Sequence, residues 1–222
     1  MTAVITQTLK RHTARAARRY NAYELAMLFF AFAMIGWVWE VFLHIMFDGE
    51  LVNRGTMLGP WLPIYGVGGA IVTALLRRLA DRPVAVFLAS SALCAAIEFI
   101  ASVYLEAVYG LRWWDYSAYT FNIDGRVCLE TTVGFGIGCC IALYIAAPAI
   151  ANRLGRLPQT ARRVLCAALI LLFAADFVYS TISPNTGKGI TDDGPGQAFV
   201  QVDPTEVSQL NLMALTVVYP HQ

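Results

Sequence analysis

Five long apolar stretches separated by short polar breaks set the architecture of this chain: Tyr23–Phe47, Trp61–Leu76, Pro83–Gly110, Cys128–Pro148 and Arg163–Ser183. A helix that crosses a membrane needs about 20 mostly apolar residues, and only the second stretch is marginal. If the chain crosses at each, 12 of its 16 basic residues share one side: those from Lys10 to Arg19, Arg77, Arg78, Arg82, and those from Arg153 to Arg163. Of the 15 acidic residues only Glu24 and Asp81 join them. Basic loops stay cytoplasmic. The expected fold is therefore an all-α membrane protein, a bundle of five transmembrane helices with its N-terminus inside and its C-terminus outside. Residues 1–22 form a basic cytoplasmic arm, 23–183 the five-helix transmembrane domain, and 184–222 an extracytoplasmic polar tail.

The tail is expected to carry one short outer-side helix. Asp203-Pro204-Thr205-Glu206 reads as a helix start, with Asp as N-cap, Pro at the first position and Glu at the third. Leu210, Met213, Ala214 and Val217 would then share one apolar face. At the other end, a basic arm precedes an apolar run about as long as a true span, with no small-residue cleavage site after it. A retained first span is expected rather than a cleaved signal peptide.

Several classes of function lack their motifs. No basic patch interleaves with aromatics, so no nucleic-acid partner is expected. The chain has no GxxxxGK[ST], and Asn185-Thr186-Gly187-Lys188-Gly189 has neither the spacing nor the setting of a phosphate loop. It has no HExxH, no GxSxG and no His pair at ligand spacing, so neither a metal nor a cofactor is expected. The five cysteines lie in or beside spans without a CxxC and read as small buried apolar side chains.

Ionisable groups inside a span cost about 2.5–3.5 kcal/mol each on insertion scales and are functional candidates by default. There are three. Glu40 lies about 12 Å below the outer end of the first span at the helical rise, on a face with Trp37 and His44. Glu98 is near the middle of the third, in a stripe with Ser91, Cys94, Ser102 and Glu106. Asp176 lies roughly 10 Å below the outer end of the last and is expected to be the structural one. Two outer arginines accompany them, Arg54 in Asn53-Arg54-Gly55 and Arg126 in Asp124-Gly125-Arg126, whereas Arg112 reads as a headgroup anchor. Pro63-Ile64-Tyr65-Gly66 implies a broken start to the second span, tolerated at membrane depth where backbone is buried in protein or lines a polar cavity. Gly66, Gly68, Gly69, Gly134 and Gly138 are expected to permit close helix approach. The aromatics of Trp113-Trp114-Asp115-Tyr116-Ser117 suit an interfacial belt; Asp115 and Asn122 suit partners of an arginine or a bound polar molecule. The candidate binding set is Glu40, Asn53, Arg54, Tyr65, Glu98, Asp115, Asn122 and Arg126.

The ordered succession of Gly36-Trp37 with Glu40, NRGTMLGPWLPIYGVG (Asn53–Gly68), Glu98, WWDYS (Trp113–Ser117) and N-x-x-G-R-x-C-L (Asn122–Leu129) resembles the ABC-transporter type IV, or CmpB-like, permease family. The similarity runs over about residues 25–145. Glu130 and the polar Thr131-Thr132 depart from it, as does the long tail. The resemblance implies a multi-pass protein of the bacterial inner membrane that acts in transport, with the lipid bilayer and a separate ATPase subunit as partners. On that reading the outer-facing pocket binds a small polar or zwitterionic solute, moved by the ATPase or by an ion gradient. Two other readings stand beside it. One is an intramembrane enzyme acting on a lipid or lipid-linked substrate from the outer leaflet, with Glu98 or Glu40 as base and the two arginines on a phosphate. The other is a non-catalytic assembly partner whose charges hold helices together.

Overall fold

The computed structural model describes residues 13–49 and 51–185. The tail beyond Asn185, with its expected helix, lies outside the described residues, as do the first 12 residues of the arm. Helix α1 (Ala22–Asp48) starts where Asn21 and Glu24 cap each other. Asn21 Oδ1 accepts from Glu24 N at 2.8 Å, and Glu24 Oε2 accepts from Asn21 N at 3.0 Å. It stops at Gly49, which takes the left-handed φ of 70° that favours glycine.

The chain then folds back into the bundle instead of leaving it. Val52, Met57, Trp61 and Leu62 are buried, and Leu62 N donates to Ala33 O at 3.0 Å, level with the middle of α1. Only there does α2 (Pro63–Leu75) begin, with proline at its first turn. The expected broken start of the second span is thus present. Its consequence is a helix of 13 residues, about 20 Å long at the helical rise and short of the ~30 Å hydrocarbon core. A short 3₁₀ turn (Leu76–Leu79) carries it to the basic loop.

Helix α3 (Pro83–Tyr109) ends at Gly110, again at φ 70°. A two-stranded hairpin follows, β1 (Asn122–Ile123) and β2 (Val127–Cys128), paired antiparallel with Ile123 opposite Val127. Asp124 and Gly125 turn it with φ of 54° and 64°, the two positive values a type I′ turn requires. Helix α4 (Leu129–Ile141) runs through a π turn (Ala142–Ala146) into α5 (Ala147–Gly155). Pro148 has no N–H to return to the carbonyl four residues earlier, and the backbone widens at that place. Helix α6 (Gln159–Ile182) follows Pro158.

Among the described residues four helical stretches are long and apolar enough to cross a membrane: Ala22–Phe47, Pro83–Tyr109, Leu129–Gly155 and Gln159–Ile182. Long-range hydrogen bonds sort the connections into two ends. At one end Tyr23 Oη donates to Arg162 O at 3.1 Å, Arg18 Nη1 to Asn152 Oδ1 at 3.1 Å, and Tyr144 Oη to Ala80 O at 2.9 Å. At the other, Asn185 Nδ2 donates to Asn53 O at 2.6 Å and Gly55 O at 3.1 Å, fastening the end of α6 to the first long connection. The basic segments near Arg18, Arg78 and Arg162 therefore share an end, and Arg54 lies at the opposite one.

Small residues let α1 and α2 meet closely. A Cβ on Gly36 would lie 2.2 Å from Tyr65 Cγ, and one on Gly69 2.4 Å from the Phe32 ring. These contacts require hydrogen at both positions. They also fix the Tyr65 ring against the upper half of α1.

Candidate functional site

A cavity of about 680 Å³ lies between α1, α2, α3 and α4. Its walls are mostly apolar, with Phe32, Ile35, Trp39 and Leu43 from α1 and Phe135, Ile137 and Ile141 from α4. Its polar groups gather in two pairs. On the first wall Tyr65 Oη donates to Glu40 Oε1, and Arg54 Nε lies 3.8 Å from Glu40 Oε2. On the second Tyr116 Oη donates to Glu98 Oε1 at 3.2 Å. Glu98 is 3% exposed. The Thr131 hydroxyl stands beside it but donates to Cys128 O at 3.2 Å, and Glu98 Oε2 has no hydrogen-bond partner. A buried polar atom left unpaired is uncommon and costly. Cys94 and Cys139 also face the cavity, their sulfurs 3.4 Å apart.

Of the eight expected site residues, the structure brings Glu40, Tyr65 and Glu98 to the cavity wall and sets Arg54 beside Glu40. The other four serve local structure. Asn53 Oδ1 accepts from Trp37 Nε1 at 2.6 Å while its Nδ2 donates to Leu58 O at 3.0 Å, shaping the descending segment. Asp115 Oδ1 accepts from Ser117 N at 2.9 Å and Ser117 Oγ at 2.6 Å, a turn of its own loop rather than an arginine partner. Asn122 Oδ1 accepts from Gly125 N at 2.9 Å inside the hairpin.

Arg126 is buried and fully engaged. Its Nε donates to Asp124 Oδ2 at 2.7 Å, its Nη1 to Ser102 Oγ at 3.0 Å, and its Nη2 to Glu106 Oε2. The bond to Arg126 holds the Asp124 carboxyl below its ordinary range, and the same bond, with that to Glu106, raises the guanidinium. Arg112 joins this cluster through Glu106 Oε2 at 3.3 Å and Asp124 O at 3.0 Å, which makes it a hairpin fastener instead of a headgroup anchor.

Two further readings need correction. Trp113 is 2% exposed and packs edge-on against Tyr109 at 5.3 Å, and Trp114 Nε1 donates to Arg126 O at 2.8 Å. Trp113 is thus packed into the end of the bundle instead of facing outward, and Trp114 is tied to the hairpin. Tyr116 from the same loop reaches Glu98 about 16 Å down α3 by the helical rise and roofs the cavity; burial raises its phenol well above the ordinary value. Gly134 and Gly138, expected to let helices approach, have nothing within 4 Å of a built Cβ and face the cavity instead. No local signal marked Tyr116, since an aromatic beside two tryptophans is equally suited to an interface.

The third carboxylate within an apolar run, Asp176, lies apart and is partly exposed. It accepts from Leu58 N at 3.1 Å, Gly59 N at 2.8 Å, Trp61 Nε1 at 2.6 Å and Ser180 Oγ at 3.0 Å, gripping the descending segment.

The family model described as "Putative ABC-transporter type IV" matches residues 27–181. The chain belongs to this family. No curated protein and no solved structure matches it. As a member of the ABC-transporter type IV family it is a membrane protein related to transport. The match takes in both cavity pairs, the Arg126 cluster and Asp176, so the family unit is the bundle from α1 to the end of α6.

Proposed function

We propose that this chain is the membrane-embedded, permease-like component of a transport system, and that its cavity binds a small polar or zwitterionic solute with at least one N–H donor. Glu98 carries the reading. A carboxyl group 3% exposed whose Oε2 is unpaired is relieved when a ligand donates to it, because a satisfied buried polar group no longer bears its full desolvation cost. Glu40, oriented by Tyr65, offers a second acceptor from α1.

On this reading the N-terminus lies inside and residue 185 outside, in the plasma membrane of a bacterial cell. Five crossings then follow, the second in two parts. Segment 51–62 descends through protein to the level of Ala33, and α2 completes the passage; irregular backbone is tolerated at that depth because protein surrounds it. A separate ATPase subunit supplies the energy, since the sequence has no nucleotide-binding loop. The lipid-phosphate enzyme reading is less favoured, because Arg126 already has its donors on Asp124, Ser102 and Glu106.

The test is a thermal-shift series on the full-length protein in nanodiscs with small amines and amino-acid-like zwitterions. At least one is expected to raise Tm, with Glu98→Gln and Glu40→Gln removing the shift while leaving the unliganded Tm similar or higher. Ligand responses unchanged in both variants would place the binding site elsewhere.

A further inference from the structure

The cavity does not end at its polar groups. Below Glu40, α1 continues its wall for two turns to Phe32, about 12 Å at the helical rise, and the opposite wall continues to Ala142 and Ala146. The described lining of that lower part is apolar.

The cavity also opens sideways. Ile35 and Trp39 on α1, and Ile137 and Ile141 on α4, line it and are nevertheless each about half exposed. Side chains that face a cavity and the exterior at once mark its lip. All four lie within membrane-length helices, so the opening meets hydrocarbon rather than water.

Between those lips α4 presents Gly134 and Gly138, one turn apart, with nothing within 4 Å of either missing Cβ. No neighbouring helix uses their small size; it leaves a slot.

We propose that the occupant is a single-chain amphiphile taken laterally from the bilayer, its protonated amine head between Glu98 and Glu40 and its hydrocarbon chain in the slot between α1 and α4. This rests on the reading of the cavity as a site for an N–H donor and extends it from a small polar solute to one that carries a hydrocarbon chain. Charge selects the head. Glu40 has Arg54 at 3.8 Å, while Glu98 is approached by two neutral hydroxyls, Tyr116 and Thr131. An ammonium N–H satisfies the unpaired Oε2, and its charge favours the ionised form of the carboxylate it meets. A quaternary head has no N–H to give, and a small zwitterion leaves the lower cavity and both glycines without a use.

The experiment uses the full-length protein in nanodiscs of zwitterionic lipid. Binding of dodecylamine, butylamine and dodecanol is compared by competition against a photoreactive, clickable long-chain amine, with labelled peptides mapped by mass spectrometry. Labels are expected on α1 and α4 around Ile35 and Ile137, competed by dodecylamine and not by dodecanol. Glu98→Gln abolishes labelling at these positions, since the probe carries the same amine head. Gly138→Leu, which fills open space, weakens dodecylamine by about tenfold or more and leaves butylamine within about twofold; Gly134→Leu gives an independent repeat should the first variant fold poorly, as its unliganded Tm would reveal. Butylamine binding as tightly as dodecylamine, with no effect of either leucine, overturns the amphiphile while the small-solute reading survives. Dodecanol competing as well as dodecylamine overturns the ammonium head. Labelling that persists in Glu98→Gln and is competed by both amines overturns this proposal and the assignment of the cavity together.

Discussion

The Asp176 carboxylate accepts the indole N–H of Trp61 at 2.6 Å across 115 residues of sequence. One oxygen of that carboxylate also takes Gly59 N, and the other takes Leu58 N and Ser180 Oγ. α6 thereby holds the segment that descends between α1 and α2, and Trp61 packs with Ala33, Met57, Leu169 and Phe173 beneath the clamp.

Asp176→Asn should therefore act on stability. Asparagine keeps one acceptor oxygen and turns an NH₂ toward groups that already donate. Hydrogen bonds to a charged group contribute about 1.5–3 kcal/mol each, discounted here because the site is partly exposed. A loss of about 2 kcal/mol is expected in denaturant or thermal unfolding. Ligand binding should persist in the folded fraction, since Asp176 does not line the cavity.

Gly36→Ala tests the contact that seats Tyr65. The new Cβ would lie 2.2 Å from Tyr65 Cγ, so the ring must move or α1 and α2 must separate. Overpacking of this kind costs about 1–3 kcal/mol. The variant should also weaken ligand binding as Tyr65→Phe does, because both remove the hydroxyl from Glu40. Binding at full affinity in Tyr65→Phe would show that Glu40 needs no orienting partner.

The hairpin gives a pH prediction. The hydrogen bond from Arg126 lowers the Asp124 carboxyl, so its folded value lies below the unfolded value of about 3.9. A lowered carboxyl contributes stability that is present above the unfolded value and lost as pH falls through the folded one. Hairpin order, followed by Trp114 fluorescence, should be flat from about pH 8 to 5 and decline below about pH 4. The effect should be small, as Asp124 is solvent-exposed, and reduced in Asp124→Asn, where the Glu106 carboxylate on the same guanidinium remains.

Topology has a direct test. A reporter active only outside the cytoplasm should work when fused after Gln222 and fail when fused near Gly155. The reverse result would invert the bundle and place the cavity roof inside.

Much of the fold follows from one-dimensional properties. Long apolar runs become long helices because every backbone group is then satisfied within the run. Asn21, Pro63, Pro83 and Pro158 start helices, and Gly49 and Gly110 end them, through φ and N–H constraints that act within a turn. The gathering of basic residues at one end of the bundle follows from where the runs break. What sequence left open is which side chain meets which. Glu40 and Glu98 were legible because a carboxyl inside an apolar run is conspicuous, but Arg126 and Asp115 carried the same polar signal. Only the path of the loop between α3 and α4 decided that Arg126 meets Glu106, 20 residues away, and that Tyr116 covers Glu98. The rotation of α4, likewise, turned Gly134 and Gly138 to open space while Gly66 and Gly69 took the rings of Phe29 and Phe32. Hydropathy and chain breakers are local, whereas rotation about a helix axis is fixed by all of its neighbours at once.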